Sequence, residues 1–351
     1  MKVSLISFTL NGAKLGHNLL MLLKVQEYEA RAFTIGAYAQ ETGLESINEP
    51  LKEWTKRQFD EAEGIIFIGA TGIAVRAIAP FVKDKTKDPA VLVIDEKGEF
   101  VIPLLSGHIG GANELAYEIA SLIRAIPVIT TATDINQKFA VDLFTKKNNL
   151  YISRMDYAKE ISAAVLNNRK IGFESDFPVI GTLPNDLTDN NDLTNNEDCE
   201  YGICISLNEK KEPYERTLNL IPKIITLGIG CRKGKASDEI EKVVSEVLKM
   251  NHVSIHSVAN VSSIDLKKEE AGLLEFCDKF DLKLITYPAE VLEKVQGNYN
   301  ESDFVKSVTG IGNVCERAAI LGSCSGTLLQ KKFAENGVTV SIARKDWSVR
   351  F

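Results

Sequence analysis

Apolar runs alternate with amphipathic stretches in the first part of the chain. The run 64–70, GIIFIGA, predicts a strand, and the stretch after it carries Ile73, Ala77 and Phe81 at a four-residue step that predicts a helix. AVLVID and EFVIPLL predict two more strands around a tight turn at 96–98, EKG. ANELAYEIASLIRA predicts a second helix, and IPVITTATD predicts a strand after it. Alternation of this kind predicts an α/β fold with helices covering a substantially parallel sheet.

A second α/β region is predicted from Ile224 onward. IITLGIG predicts a strand, CRKGKA a loop, and SDEIEKVVSEVLKM a helix with Ser237 as its N-cap. A further helical stripe is formed by Leu273, Phe276, Cys277 and Phe280. Asn336-Gly337 lies between two β-prone runs and predicts a C-terminal β-hairpin with a type I′ turn.

The chain between these two regions is less regular. Residues 184–200, PNDLTDNNDLTNNEDCE, contain no basic residue and predict a long exposed loop, with a functional acidic patch as the alternative. YGICISL after it predicts a strand. We therefore divide the chain into an α/β domain at 1–134, a middle region at 135–222 that contains the acidic loop, and an α/β domain at 223–351.

Composition restricts the class of protein. The chain has 351 residues, of which 44 % are hydrophobic and 25 % charged, so it can form two or three globular domains. The formal net charge of −7 and the lack of a broad basic stripe exclude a nucleic-acid coat. No apolar run approaches the roughly 20 residues that cross a bilayer. The opening MKVSLISF predicts a first buried strand rather than a secretion signal, so we expect no membrane partner and a cytoplasmic location.

The cysteines give no sign of a metal site. Six are scattered through the sequence without a Cys-x-x-Cys pair, and the four histidines do not stand beside them. We expect free thiols in a reducing compartment, with neither a zinc site nor a disulfide framework.

Four glycine-bearing loops are candidates for binding an anion, because backbone amides at the start of a helix attract negative charge. They begin at Gly69, Ser106, Gly228 and Gly310. The third loop holds the densest basic run, CRKGK, which suits a carboxylate-bearing ligand. None is a complete nucleotide fingerprint, because GCRKGKAS lacks the P-loop spacing and GATGIA lacks G-x-G-x-x-G. In each loop the alternative is that the glycines serve only the turn.

His108 is the strongest catalytic candidate in these loops. Imidazole titrates near neutral pH, and a loop at the start of a helix exposes the ring to substrate. The alternative is a histidine that pins the loop to a backbone carbonyl. Glu114 is the second candidate, with a surface role beside the helix dipole as its alternative. Cys231 stands beside two cations, which lower a thiol pKa, but a buried inert thiol is favoured because no general base lies near it in the sequence.

Six blocks of the sequence together resemble the CbiG family, the cobalt-precorrin-5A hydrolases of anaerobic cobalamin biosynthesis. The blocks are GATGIAVRAIAP, PLLSGHIGGANELA, VITTATD, LGIGCRKGKASDEI, SSIDLKKEEAGL and VTGIGNVCERAAIL, and they extend from about Gly64 to Ala343. The residues that we assign to substrate binding lie in these blocks: Gly69, Thr71, Gly72, Arg76, Ser106, Gly107, Gly110, Gly111, Asn113, Thr131, Asp134, Gly230, Cys231, Arg232, Lys233, Gly310, Gly312, Asn313, Glu316 and Arg317.

The resemblance implies a cytoplasmic enzyme that acts on a cobalt-bearing tetrapyrrole with many carboxylates. It opens the δ-lactone of cobalt-precorrin-5A and releases acetaldehyde to give cobalt-precorrin-5B. Cobalt enters with the substrate, so we expect no cofactor and no metal held by the protein. Neighbouring enzymes of the cobalamin pathway are a further class of partner. The family's C-terminal module also resembles small proteins that occur alone in the aerobic pathway.

His108 fits this chemistry as the base that activates water for lactone opening. Glu114, Asp134 and Glu316 are the alternatives for that role. Two other functions remain open for the chain as a whole. One is a non-catalytic carrier of a corrinoid intermediate, and the other is an unrelated phosphosugar or nucleotide enzyme, which the incomplete fingerprints count against.

Overall fold

A computed structural model describes residues 1–84, 87–108, 110–136, 138–190 and 199–351. They form two compact units, Met1–Lys138 and Phe139–Phe351. Ile109 of the second glycine loop and residues 191–198 of the predicted acidic loop lie outside the described residues. Within the described residues, none of the helices combines the length and the apolar character needed to cross a membrane.

The first unit is built on a seven-stranded sheet. In chain order its strands are β1 Lys2–Ser7, β2 Glu29–Ile35, β3 Glu45–Ile47, β4 Gly64–Ile68, β5 Ala90–Ile94, β6 Phe100–Leu105 and β7 Ile126–Pro127. Their order across the sheet is β3-β2-β1-β4-β5-β6-β7. Strands β1 to β5 are parallel to one another, whereas β6 is antiparallel to β5 and β7 is parallel to β6. The predicted substantially parallel α/β fold and its buried first strand are confirmed.

Helices cover both faces of this sheet. They are α1 Leu10–Val25, α2 Gly36–Thr42, α3 Leu51–Glu61, α4 Thr71–Ile78, α5 Ala112–Ile123 and α6 Ala132–Ile135. Alternate residues of β4 enter opposite cores: Ile66 and Ile68 pack with α1 and α5, and Ile65 and Phe67 pack with α3 and α4. A strand buried on both faces reads as a continuous apolar run, which is why its sequence shows no polar alternation.

The strand predicted over IPVITTATD is mostly wrong. Only Ile126 and Pro127 belong to β7, and the chain has turned into α6 by Ala132. Proline has no N–H to donate to a neighbouring strand. The threonines and the aspartate after it are thereby left to side-chain hydrogen bonds instead of a sheet ladder.

The second unit begins with a mixed sheet in the order β11-β9-β12-β13-β8, in which only the β13–β8 pair is antiparallel. Its elements are α7 Val141–Asn148, β8 Leu150–Ile152, α8 Met155–Leu166, β9 Ile171–Ser175, β10 Val179–Ile180, β11 Leu187–Asp189, β12 Tyr201–Ile205 and β13 Arg216–Pro222. The strand predicted at YGICISL is confirmed as β12.

The prediction of a loop throughout 184–200 is wrong at β11. Leu187 is buried and pairs with Ile171 of β9, although the composition around it is polar. One apolar side chain and three residues of pairing are enough to form an edge strand, and a composition average does not detect them.

A second five-stranded sheet follows in the order β16-β15-β14-β18-β17. Its elements are β14 Ile225–Cys231, α9 Ser237–Met250, β15 Val258–Ile264, α10 Ala271–Lys279, β16 Lys283–Tyr287, α11 Ala289–Glu293, α12 Asp303–Thr309, α13 Cys315–Gly322, β17 Thr327–Glu335 and β18 Val338–Arg344. The C-terminal hairpin is confirmed: β17 and β18 are antiparallel, and Asn336 and Gly337 have φ of 48° and 76°, as a type I′ turn requires.

The N-cap predicted for α9 is wrong by one residue. Ser237 is the first helical residue, and Ala236 is the extended residue before it. The carboxylate of Glu239 accepts a hydrogen bond from the amide of Ala236, which supplies the local order expected of a capping serine.

The end of the chain forms a separate two-stranded sheet and packs against the core of the first sheet of the second unit. Its last strand, β19 Val349–Arg350, pairs with β10. Val349 is buried in the core of that sheet, and Trp347 and Phe351 pack against the same core. The segment after β18 therefore joins the two sheets of this unit.

Candidate functional site

The His108 loop lies at the opposite end of the first sheet from the Gly69 loop. Leu105 at the end of β6 pairs with Val91 at the start of β5, and the Ser106 hydroxyl donates to the carbonyl of Asp88 at 2.9 Å. The amide of Gly69 donates to the carbonyl of Ile94, at the other end of β5, at 2.8 Å. The two loops lie at opposite edges of the sheet because β6 runs antiparallel to its neighbour β5.

Backbone hydrogen bonds fold the His108 loop back onto the start of α5. The amides of Ala112 and Asn113 donate to the carbonyls of Ser106 and Gly107 at 3.1 and 3.0 Å. At Gly110 a Cβ would lie 2.2 Å from the Ser106 Cβ, a separation that requires the chain to move. Glycine is therefore needed at this point for close approach of the two sides of the loop.

The loop places His108 beside Asp134. The His108 Nε2 atom lies 2.9 Å from Oδ2 of Asp134, and the Thr133 hydroxyl lies 3.1 Å from the same nitrogen. Asn113 donates to the same Asp134 oxygen at 2.6 Å and to the Thr131 hydroxyl at 3.1 Å. We call His108 and Asp134 the acid–base pair.

Burial and polarity suit the acid–base pair to proton transfer. The side chains of His108 and Asp134 are 15 % and 21 % exposed, so both are largely shielded yet reachable from solvent. An adjacent carboxylate stabilises the imidazolium that forms when a histidine accepts a proton, and it fixes the orientation of the ring. The Asn113 amide fixes the carboxylate in turn.

Glu114 points elsewhere. It is exposed in the first turn of α5, and its charge contributes to raising the pKa of Tyr28 to about 12, after burial and the hydrogen bond to Glu118 as the larger causes. The residues beside His108 are instead Thr133 and Asp134, which lie within α6. Sequence reasoning missed Thr133, although it lies in the same VITTATD block as Thr131 and Asp134.

The Gly69 loop forms the other end of this sheet. Thr71 and Gly72 are exposed at the start of α4, and the guanidinium of Arg76 donates to the carbonyl of Gly72 at 3.2 Å. This loop is the turn between a parallel strand and its helix, the position at which α/β sheets bind anions. It contributes no side chain to the acid–base pair.

In the second unit, Gly230 and Cys231 are the last residues of β14. The sequence analysis had included both in the third glycine-bearing loop, whereas the structure places them in the strand. Burial raises the pKa of the Cys231 thiol, and it outweighs the nearby lysines Lys267 and Lys235 that lower it. Arg232 and Lys233 are exposed beyond the strand. An inert thiol is the better description of Cys231.

Carboxylates accompany the basic run after β14. Lys235 donates to Glu239 at 2.5 Å, and Lys267 donates to Glu270 at 2.7 Å. Glu270 also accepts from the amide of Gly234, and Lys267 is the main cause that lowers the Glu270 pKa. Part of the positive charge that we expected to bind a carboxylate ligand is thus neutralised by carboxylates of the same chain.

The loop before α13 uses its polar side chains to hold itself in place. Glu316 is fully buried, and its two oxygens accept from the amides of Asn300 and Lys332 at 3.1 and 2.7 Å. Asn313 accepts from the Glu316 amide at 3.0 Å and donates to the Asn300 carbonyl at 3.0 Å. This geometry favours a structural task for Glu316 and Asn313 over contact with substrate.

Arg317 is similarly engaged. Its guanidinium donates to the carbonyls of Glu293 and Val295 at 2.9 and 2.8 Å and to the Glu301 carboxylate at 2.9 Å. Gly310 is the left-handed residue that ends α12, and a Cβ on Gly312 would meet the same Glu301 side chain. Among the described residues, no cluster of three or more His, Cys, Asp or Glu is arranged to hold a metal ion.

Three family descriptions match successive parts of the chain. "Cobalamin synthesis G N-terminal" matches residues 53–134, "Cobalamin biosynthesis central region" matches 139–222, and "Cobalamin synthesis G C-terminus" matches 225–343. The chain belongs to the CbiG family.

Relatives of the family resemble this chain over nearly its full length. It is 33 % identical over 353 residues to a cobalt-precorrin-5A hydrolase of Priestia megaterium, covering 97 % of this chain and 94 % of that relative. It is 32 % identical over 351 residues to a cobalt-precorrin-5A hydrolase of Salmonella typhimurium, covering 97 % of each. A crystal structure of a cobalamin biosynthesis protein G homologue from Sulfolobus solfataricus aligns over 98 % of this chain and 97 % of that chain, with 23 % identity and a TM-score of 0.42.

Proposed function

We propose that this protein is a cobalt-precorrin-5A hydrolase, which opens the δ-lactone of its substrate and releases acetaldehyde to give cobalt-precorrin-5B. The full-length similarity to relatives that carry this name supports the substrate and the reaction. The observation that supports a hydrolytic site is the 2.9 Å contact between His108 and Asp134 on a glycine-built loop. That contact supplies a positioned base, which lactone hydrolysis requires.

In this proposal His108 is the general base and Asp134 orients it. When Asp134 accepts from the protonated Nε2 nitrogen, it orients the imidazole that takes a proton from water. The resulting hydroxide attacks the lactone carbonyl, and the ester C–O bond breaks to give a carboxylate and an alcohol. The alcohol oxygen needs a proton at that stage, and the imidazolium is placed to return it.

The second stage breaks a carbon–carbon bond. The alcohol gives up its proton and becomes the carbonyl of acetaldehyde, and the electron pair of the broken bond passes to the macrocycle. Cobalt belongs to the substrate in this scheme. The loops at Gly69, Arg232 and Gly310 are proposed to bind carboxylates.

The proposal includes the setting of the enzyme. We place it in the cytoplasm, with neighbouring enzymes of the cobalamin pathway as its partners in handing over a labile intermediate. We also retain the division into segments 1–134, 135–222 and 223–351 as functional parts of the chain.

Anaerobic turnover tests the proposal. Purified protein is incubated with cobalt-precorrin-5A, released acetaldehyde is trapped, and the tetrapyrrole product is weighed by mass spectrometry. We expect acetaldehyde in catalytic excess over enzyme, and a fall in kcat of about a hundredfold or more in His108→Ala. His17→Ala is the matched control, because His17 is an exposed histidine on α1 of the same unit.

Two results would overturn the proposal. Stoichiometric binding with an unchanged substrate mass would identify a carrier instead of an enzyme. A kcat in His108→Ala close to that of the control His17→Ala would remove His108 from the mechanism.

A further inference from the structure

A cavity of the second unit carries a concentration of positive charge that the family resemblance did not single out. It measures about 680 Å³ and lies where α7, the β13–β14 connection and the segment between β18 and β19 meet. We call it the basic cleft. Its charged and aromatic lining consists of Lys147, Lys223, Lys345, Arg350, Asp346 and Trp347.

The four cations of the basic cleft stand out because their charges are not balanced locally. Within the part of the chain that the structure describes, the side chains of Lys147, Lys223, Lys345 and Arg350 form no ion pair and no hydrogen bond. Asp346 is the only acidic side chain in the lining. The cleft therefore has a local excess of three positive charges in a chain whose formal net charge is −7. Such a site concentrates anionic ligands.

The walls of the basic cleft are fixed by hydrogen bonds. The amide of Lys345 donates to the carbonyl of Ile224 at 2.9 Å, which ties the segment after β18 to the start of β14. Buried Asn148 accepts from the Arg350 amide at 2.8 Å and donates to its carbonyl at 3.0 Å. The backbone that carries the cations is thus held in position before a ligand arrives, which reduces the ordering cost of binding.

The form of the site favours a broad ligand with several separate negative charges. The cations come from three separate segments around the cavity instead of one loop, so they suit carboxylates spread around a ring better than one phosphate group. The end of α7 at the cleft is its carboxyl end, Lys147–Asn149, so anion binding there relies on the side-chain cations and gains nothing from the helix dipole. Trp347 adds a flat apolar surface, with its ring packed at 86° against Phe177.

We propose that the basic cleft binds the carboxylate side chains of a polycarboxylate macrocycle, the substrate class of the proposed function. The inference rests on that function for the identity of the ligand, but not for the presence of the site. Lys223 and Lys345 contact carboxylates and take no part in the chemistry. Their contribution is to the affinity for substrate.

Direct binding tests the proposal without turnover. Calorimetric titration uses cobyrinic acid, a cobalt corrinoid with free carboxylates, together with its amidated counterpart cobinamide and ATP as separate probes. We expect Lys223→Gln/Lys345→Gln to bind cobyrinic acid about tenfold more weakly than the unaltered protein. Lys242→Gln/Lys249→Gln is the charge-matched control, since both lysines are exposed on α9 away from the cleft, and we expect its affinity to be unchanged.

The other probes decide between ligand classes. Cobinamide should bind at least about tenfold more weakly than cobyrinic acid, because its side chains are uncharged amides. Equal loss of affinity in the two double variants would show nonspecific attraction to net charge and overturn the proposal. Tighter binding of ATP than of cobyrinic acid, lost in Lys223→Gln/Lys345→Gln, would identify a nucleotide site and overturn it as well.

Turnover of cobalt-precorrin-5A separates this inference from the proposed function. We expect Lys223→Gln/Lys345→Gln to raise KM about tenfold with kcat nearly unchanged. An unchanged KM with normal turnover would overturn the role of the basic cleft and leave the hydrolase intact. If the unaltered protein shows no turnover but binds cobyrinic acid through Lys223 and Lys345, the proposed hydrolase function is overturned and the binding role of the basic cleft is retained.

Discussion

The Nε2 atom of His108 lies 2.9 Å from Oδ2 of Asp134, although 26 positions separate the two residues in the chain. The contact forms because the loop after β6 and the turn into α6 meet at one end of the first sheet. Asn113 donates to the same carboxylate oxygen from the first turn of α5. Three separate segments therefore determine where the imidazole lies.

Asp134→Asn tests whether this carboxylate orients His108. An amide of the same shape cannot stabilise the imidazolium by charge, so we expect kcat to fall by about 10- to 100-fold with little change in thermal stability. The measurement is anaerobic turnover together with the melting temperature. Asp60→Asn is the control, because Asp60 is exposed on α3. A kcat equal to that of the control would show that Asp134 has no part in the reaction.

Gly110→Ala tests the construction of the loop. The added Cβ would lie 2.2 Å from the Ser106 Cβ and 2.8 Å from its carbonyl oxygen, so the loop must shift and His108 moves with it. We expect a loss of activity of about tenfold or more, since small misplacements of a catalytic group are costly. In Gly36→Ala, the new Cβ meets only the Ser46 hydroxyl at 3.5 Å, an ordinary contact, and activity should be retained. Equal activity in the two variants would contradict the prediction.

Glu316→Gln tests the structural task of a buried carboxylate. Both Glu316 oxygens accept from backbone amides, and glutamine offers one acceptor oxygen where two are needed. We expect a loss of about 1–3 kcal/mol in the free energy of unfolding, measured by urea denaturation. Glu275→Gln, on the exposed side of α10, should change it by less than about 0.5 kcal/mol. A stable variant with a raised KM would return Glu316 to the substrate-binding set.

Thiol labelling tests the state of the cysteines. Burial raises the pKa of Cys204 and of Cys277 to about 12, so little thiolate is present at either residue near pH 8. Cys324 is exposed. Mass spectrometry of native protein treated briefly with iodoacetamide should show one fast-reacting thiol, which Cys324→Ser removes. Fast labelling at Cys204 or Cys277 would mean that the cores of the second unit open readily.

The sequence predicted the secondary structure best where burial leaves a local pattern. The runs at β4, β5, β6 and β14 and the stripe of α9 were all recognisable, because a strand buried on both faces and a helix with one buried face each impose their own spacing. The hairpin at Asn336-Gly337 was equally plain, since only a few residues accept positive φ at two successive positions. Polar segments left weaker signals. The strand β11, with its buried residue Leu187, lies in a segment whose polar composition predicted a loop.

The sequence by itself determined the α/β class, the positions of most helices and strands, and a set of candidate residues that includes His108, Asn113, Thr131 and Asp134. Only the tertiary structure decided which candidates lie together. β6 pairs antiparallel with β5, and this long-range choice puts His108 at the opposite end of the sheet from Gly69. The basic cleft was likewise not predicted, because its cations come from three segments that are far apart in the chain. The spacing of apolar residues shows which face of a helix or strand is buried. The direction of a strand in its sheet, and which distant side chains come into contact, depend instead on pairing energies spread over the whole fold.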